Sequence, residues 1–245
     1  SSGSTAAAVV VEATAGTTVD AIDARWSTAA GDFILVDTAG IRRQAQFDDQ
    51  AEFFATMRAL QALERADVAC LVVDSNEGFQ KQEARLAHHA LDAGCGLLLL
   101  YNKWDLVEER EQAWKDVQAD RARRFPTLGD IPAHPISATE KTHLAKLPQY
   151  IRERVDQNLR RIPTARLNEW LEIVQKRRQV PSNAMGQAPK IYYMAQTGVR
   201  PPQFTLFVNA PSRLNDNYRR FLHSQFAEHF DFAGTPFRLR VKKSE

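Results

Sequence analysis

The polarity of the chain changes period repeatedly, and each change marks an element. Phe33-Ile34-Leu35-Val36, Val68 to Val73 and Gly96 to Tyr101 are continuous apolar runs of strand length, closed by Asp37, Asp74 and Asn102. Such runs, lacking alternation, belong to strands covered on both faces. Residues 20–26 are expected to pair with Phe33 to Val36 across the Ala29-Ala30-Gly31-Asp32 turn. Between strands the period becomes helical: Phe54, Met57 and Leu60 set a helix over residues 51–65, and others are expected over 80–93 (ending near Gly94), 108–125 and 144–158. Pro135-Ile136 is a short strand. Residues 1–8 read as a disordered end, Val9-Val10-Val11 as a β-branched run, and residues 41–50 as a mobile polar loop. Strands alternating with helices predict an α/β fold with a mostly parallel sheet.

At Arg160-Arg161-Ile162-Pro163 the pattern changes in kind. Thr164 reads as the N-cap of a helix to about Gln179, with Leu167, Leu171 and Val174 as its apolar stripe. Residues 181–189 read as a loop, Ile191 to Gln196 and Phe204 to Asn209 as strands, residues 215–230 as a helix, and Phe237 to Val241 as a last strand. The order α-β-β-α-β is α+β, so two domains are expected, 1–159 and 160–245.

Composition adds one point to this picture. The net charge of +2 hides an asymmetry: residues 1–150 carry 15 Lys and Arg against 22 Asp and Glu, net −7, whereas residues 151–245 carry 17 against 8, net +9. A basic half suggests an anionic partner, and nucleic acid is the expectation. Lys176, Arg177, Arg178, Arg200, Arg219, Arg220, Arg238, Arg240, Lys242 and Lys243 are the candidate phosphate-binding residues. No apolar run is long enough to span a bilayer, and the first twelve residues lack the pattern of a secretory signal. Cys70 and Cys95 fall in or beside apolar runs and read as buried reduced thiols, and the six histidines show no metal-ligand spacing.

The chemistry sits where strands end. Asp37-Thr38-Ala39-Gly40 and Asn102-Lys103-Trp104-Asp105 each follow an apolar strand directly, and open α/β sheets bind ligands outside the carboxyl ends of their strands. Asp105 can accept two hydrogen bonds from a guanine edge, and the Lys103 stem can lie along the base. Asp37 can reach Mg2+ through a water, the Gly40 amide can approach a terminal phosphate, and a Thr17 or Thr18 hydroxyl suits the magnesium shell. Ser137-Ala138, after Pro135-Ile136, fits the same site, with the Ala138 amide donating to the guanine carbonyl oxygen. This pattern signals a GTP-binding domain. The phosphate-cradling Gly-x-x-x-x-Gly-Lys-Ser/Thr motif does not occur in the 245 residues. Ile41, after Asp37-Thr38-Ala39-Gly40, occupies the place where many GTPases carry a water-orienting glutamine. No catalytic residue is identifiable, and the 245 residues alone are expected to bind GTP weakly or not at all and not to hydrolyse it.

These motifs resemble the Der (EngA) family of GTPases. Ala15-Gly16-Thr17-Thr18-x-Asp20, Asp37-Thr38-Ala39-Gly40-Ile41-Arg42-Arg43 and Asn102-Lys103-Trp104-Asp105-Leu106-Val107 look like the second of that family's two G domains. Pro189-Lys190-Ile191-Tyr192-Tyr193, Thr197-Gly198-x-Arg200-Pro201-Pro202, Phe207-Val208-Asn209 and Gly234-Thr235-Pro236 look like its C-terminal KH-like domain. The resemblance implies a P-loop-NTPase-like sheet, incomplete at its N-terminus, followed by a smaller α+β KH-like domain. It also implies GTP or GDP with Mg2+, a monovalent cation such as K+ in place of the glutamine, and ribosomal RNA and the large-subunit precursor as partners, with other assembly factors beside them. The implied setting is a bacterial cytoplasm or an organellar matrix. Val19 stands where the family usually has arginine, and the second part lacks the Gly-x-x-Gly loop of ordinary KH modules. The absent phosphate loop has three readings: an ordered part of a longer GTPase, a shortened form, or a degenerate member serving as an RNA-binding scaffold. The competing class is a nucleotide-independent structural component of a ribosomal particle. A metabolic nucleotide enzyme finds no acid–base or nucleophile constellation here.

Overall fold

The structure, a computed structural model, describes residues 7–12 (backbone only), 24–36, 61–182, 188–232 and 234–244. It divides into two compact units, Ser1–Gln157 and Asn158–Glu245.

The first unit is built on a six-stranded sheet in the order β2-β3-β1-β4-β5-β6. β2 (Ala24–Thr28) and β3 (Gly31–Val36) form the expected hairpin. Its strands run closer to the turn than the sequence suggested, with Thr28 opposite Gly31. Gly31 has φ +121°, which a side chain would strain, and a Cβ there would strike the Arg152 guanidinium. That guanidinium donates to the Ala30 carbonyl (3.0 Å) and lies over the Phe33 ring. β1 (Ala7–Glu12) lies between β3 and β4, antiparallel to both. From β4 (Val68–Asp74) through β5 (Gly96–Asn102) to β6 (Ala133–Pro135) the sheet is parallel. The expected parallel pairing therefore holds on this side of the sheet. The other side is antiparallel: a two-residue turn can only return β3 antiparallel to β2, and β1 runs antiparallel to both of its neighbours.

The absence of alternation in β4 and β5 has the predicted consequence: their residues feed two cores, one on each face. Ala69, Leu71, Val73, Leu97, Leu99 and Tyr101 join one core with Ala62 and Leu63 of the helical residues 61–65 and with α1 (Lys81–Ala93). Val68, Cys70, Leu98 and Leu100 join the other, with Ile151 and Val155 of α3 (Leu147–Leu159). α1 starts with the Glu83 carboxylate accepting from the Gln80 amide (2.9 Å) and ends on Gly94 in the left-handed region. The surface helix appears as α2 (Arg110–Arg124). Its Arg121 is buried and donates to the Gly129 and Ile131 carbonyls, pinning the next loop.

The second unit has the order α-β-β-α-β. α4 (Thr164–Arg177) and α5 (Asp216–His229) pack on one face of the sheet β7 (Ile191–Gly198), β8 (Gln203–Val208) and β9 (Arg238–Lys243). Trp170 stands edge-on to Phe226 (5.1 Å, 88°), which meets Phe204 at 4.5 Å. Thr164 is not the cap expected of it. It is the first helical residue, after Pro163, and it makes no capping hydrogen bond. Asn168 supplies the tie instead, exchanging hydrogen bonds with the Met194 backbone of β7. Asn215 does cap α5, accepting from the Tyr218 amide at 2.8 Å.

Candidate guanine-binding site

β4, β5 and β6 deliver their carboxyl ends side by side. The parallel register sets Asp74 opposite Asn102, and Tyr101 opposite Pro135. The Ser75 amide and hydroxyl both donate to the Asn102 carbonyl, at 3.0 and 2.6 Å. On the other side the Ile136 amide donates to the Tyr101 carbonyl (2.8 Å) and the Trp104 amide to the Ile136 carbonyl (3.1 Å). The chain after β5 is thus held from both flanks. Lys103 takes the left-handed conformation (φ 62°) and passes into the short 3-10 turn Trp104–Leu106. That conformation is uncommon for a residue with a side chain, and it persists here inside a frame of hydrogen bonds.

Two of the loops meet directly. The Asn102 carboxamide oxygen accepts from the Ala138 amide at 3.0 Å. Ser137 is buried, its hydroxyl accepting from the Glu140 amide and its backbone bridged to Thr142. Asp105 and Ser137 both line a cleft of about 400 Å3 with Trp104, Arg110, Ile136 and Thr142, a volume within the range of small-molecule sites. Asp105 Oδ1 is cut off from solvent and has no hydrogen-bond partner among the described residues. An unsatisfied buried acceptor costs about 1–3 kcal/mol, and an N–H donor from a ligand removes that cost. A guanine edge offers two adjacent donors, so the group fits the base expected there. The Ala138 amide was expected to face the guanine carbonyl oxygen; in the structure it is engaged by Asn102.

Lys103 is positioned by a residue that sequence reading treated only as a strand stop. Its ammonium lies 2.6 Å from Asp74 Oδ2. Partial burial pushes the Asp74 carboxyl upward, but the Lys103 ammonium and the Asn76 and Glu77 amides outweigh it and hold the carboxyl below its usual range. The same pairing raises Lys103. The signal was available in principle, because a parallel register puts the last residue of one strand beside the last residue of the next.

Asn102, Lys103, Asp105, Ser137 and Ala138 are therefore brought together at one edge of the sheet. Thr17, Thr18, Asp37 and Gly40, and the polar loop of residues 41–50, lie outside the described residues. Among the described residues no group of three or more His, Cys, Asp or Glu could hold a metal ion, and no helix is long and apolar enough to cross a membrane.

Eight of the ten basic candidates of the second unit fall on two sides of its sheet. Lys176, Arg177 and Arg178 are exposed at the end of α4, and Arg178 lies over the Phe221 ring of α5 (4.8 Å). Arg220 is exposed, and Arg219 spends its guanidinium on the Pro211 and Leu214 carbonyls. Arg238, Arg240 and Lys242 alternate along β9 with Leu239 and Val241, which pack into the helix-covered core, so the three basic residues project from the opposite face. Lys243 is also exposed, and Arg200 is exposed at the β7–β8 turn.

Comparison with known proteins bears on both units. Residues 161–242 match the family described as KH-domain-like of EngA bacterial GTPase enzymes, C-terminal. Residues 3–103 match the family described as 50S ribosome-binding GTPase. Curated relatives named GTPase Der, from Lacticaseibacillus casei (strain BL23) and Lactobacillus delbrueckii subsp. bulgaricus (strain ATCC BAA-365 / Lb-18), are 37% and 36% identical over 96% of this chain. Over nearly its whole length the chain is similar to the Der (EngA) family. It spans about half the length of those Der relatives, 54% of each. Of the nucleotide-site candidates, Thr17, Thr18, Asp37, Gly40, Asn102 and Lys103 lie inside the matched range 3–103. Among solved structures, Era in complex with MgGDPNP and nucleotides 1506-1542 of 16S ribosomal RNA covers 94% of this chain and 83% of its own, at 18% identity and a TM-score of 0.45.

Proposed function

We propose that the chain is the guanine-recognising and RNA-binding part of a GTPase-type assembly factor for the large ribosomal subunit. In this reading residues 1–159 act as the G domain and residues 160–245 as the RNA-binding domain. Asp105 accepts from the guanine edge, Lys103 flanks the base, and Asn102, Ser137 and Ala138 hold the two loops together. Thr17, Thr18, Asp37 and Gly40 serve Mg2+ and the terminal phosphate, residues 41–50 act as the switch, and K+ does the work of the glutamine that Ile41 replaces. Ribosomal RNA and the large-subunit precursor are the partners. The curated relatives are bacterial, which supports a bacterial cytoplasm as the setting.

One observation carries the reading: an orphaned Asp105 carboxylate oxygen beside two loops joined by the Asn102–Ala138 hydrogen bond. Without a Gly-x-x-x-x-Gly-Lys-Ser/Thr motif in the 245 residues, the lysine and amide nest that position the triphosphate are not supplied by this polypeptide. It is therefore expected to recognise the base weakly and not to hydrolyse GTP.

The test must detect weak binding. Titrating GDP and ADP separately into the isotope-labelled chain, with amide resonances as readout, should move residues 102–106 and 137–138 with GDP and leave them in place with ADP. Equal shifts with both nucleotides contradict the assignment. No response to either, with RNA still bound, favours the nucleotide-independent scaffold.

A further inference from the structure

Among the described residues, the helices of the second unit cover one face of its sheet. The inward residues of β8, Phe204, Leu206 and Val208, are buried with Ile191 and Met194 of β7 and with Leu239 and Val241 of β9 beneath α4 and α5. The other face carries no helix among the described residues. Cross-strand register sets what stands there. Tyr193 of β7 faces Phe207 of β8, which faces Lys242 of β9; Ala195, Thr205 and Arg240 form the next row, in which Thr205 is itself buried beneath its neighbours and bonded to the Thr197 hydroxyl, and Gln203 and Arg238 close the series. Tyr193 and Phe207 are stacked, with centroids 4.4 Å apart and planes 13° from parallel. Tyr193 keeps 41% of its surface exposed, and its neighbour Tyr192, with the Lys190 ammonium over its ring, 49%. None of the three strands contains Asp or Glu.

We infer that this open face is the landing surface for a single strand of RNA, with bases laid against Tyr193 and Phe207 and the backbone running along Arg238, Arg240 and Lys242. The inference rests on the RNA-binding reading and says which side of the domain does the work. Exposed aromatic rings beside a basic track are the two components of single-strand recognition, since every base offers a π-face and every linkage a phosphate. Alternate residues on β9 are roughly 7 Å apart, close to the step between successive phosphates of an extended strand. The occupant is a nucleic acid because the face combines aromatic surface with positive charge only; an apolar partner has no use for the basic row. A duplex, whose bases are already stacked inside, has no use for the rings.

The test compares the two basic sides of the domain in the full 245-residue chain. The probe is a short fluorescein-labelled single-stranded oligoribonucleotide, read by anisotropy over a series of salt concentrations. Tyr193→Leu should weaken binding roughly tenfold with the salt slope unchanged, whereas Tyr193→Phe should restore it. Arg240→Gln and Lys242→Gln should each weaken binding and lower the salt slope by about one. Lys176→Gln with Arg177→Gln, on the helix side, should change affinity less than twofold. Circular dichroism melting checks that each variant is folded. Loss with the helix-side variant and none with the sheet variants overturns the inference while leaving RNA binding in place, as does tighter binding of duplex than of single strand. Absence of RNA binding by the unaltered chain overturns the RNA reading itself.

Discussion

The two sheets of this molecule solve the same problem differently. In the first unit β4 and β5 are buried on both faces, so no ligand can reach the sheet except at the strand ends, and the polar residues gather there: Asp74, Asn102, Lys103 and Asp105. In the second unit β7 and β9 are buried on one face, so the sheet has a side to offer, and that side carries the rings and the basic ladder. Burial thus decides where recognition can occur. A doubly covered sheet suits a compact base at an edge; a singly covered sheet suits an extended polymer across its face.

The largest expected effect tests the double cover itself. Cys70 packs on one face of the first sheet and Cys95 on the other, and burial pushes each thiol up to about 12 from 9.0. Burial thus both shields the sulfurs and disfavours the reactive thiolate, so neither cysteine should react with Ellman's reagent in the folded protein and both should react in urea. Rapid native labelling of either exposes a face as open. Next, Leu99→Ala in β5 should cost about 2–5 kcal/mol in urea unfolding, whereas Arg238→Ala on the open face of β9 should stay within about 0.5 kcal/mol. Equal costs erase the distinction between the sheets. A smaller effect is expected at the strand ends: Asp74→Asn, which removes the partner of an exposed lysine, should weaken the GDP response roughly two- to fivefold with little change in stability. The smallest concerns pH. His134 stacks on Tyr150 at 3.6 Å, and burial lowers its pKa from 6.5. The unfolded chain therefore binds the proton more readily, and stability present above pH 6.5 is lost as pH falls through the lowered value. His134→Phe should flatten that loss in melts taken across this range.

Much of this arrangement was legible in the sequence, for identifiable reasons. Unbroken apolar runs announced β4 and β5, and Asn102-Lys103-Trp104-Asp105 announced the site because it follows one of them at once. What was not legible depends on neighbours. Thr164 looks like a cap until the helix is seen to start on Thr164 itself. Arg219 reads as a surface charge until its guanidinium is found on two carbonyls. Asp74 reads as a strand stop until the register brings Lys103 beside it. The ten basic residues form one list in the sequence, whereas the fold separates eight of them onto two surfaces, although the alternation Arg238-Leu239-Arg240-Val241-Lys242 already separates the β9 group from its apolar neighbours.

The most direct measurement exchanges the Asp105 carboxylate for an amide. Guanine presents two donors to this position, whereas xanthine replaces one of them with a carbonyl, so Asp105→Asn offers one acceptor and one donor to match. Titrating GDP and xanthosine diphosphate side by side into the unaltered chain and the variant should show the preference inverted, by at least roughly tenfold. An unchanged preference for GDP in Asp105→Asn contradicts guanine recognition at the ends of β5 and β6.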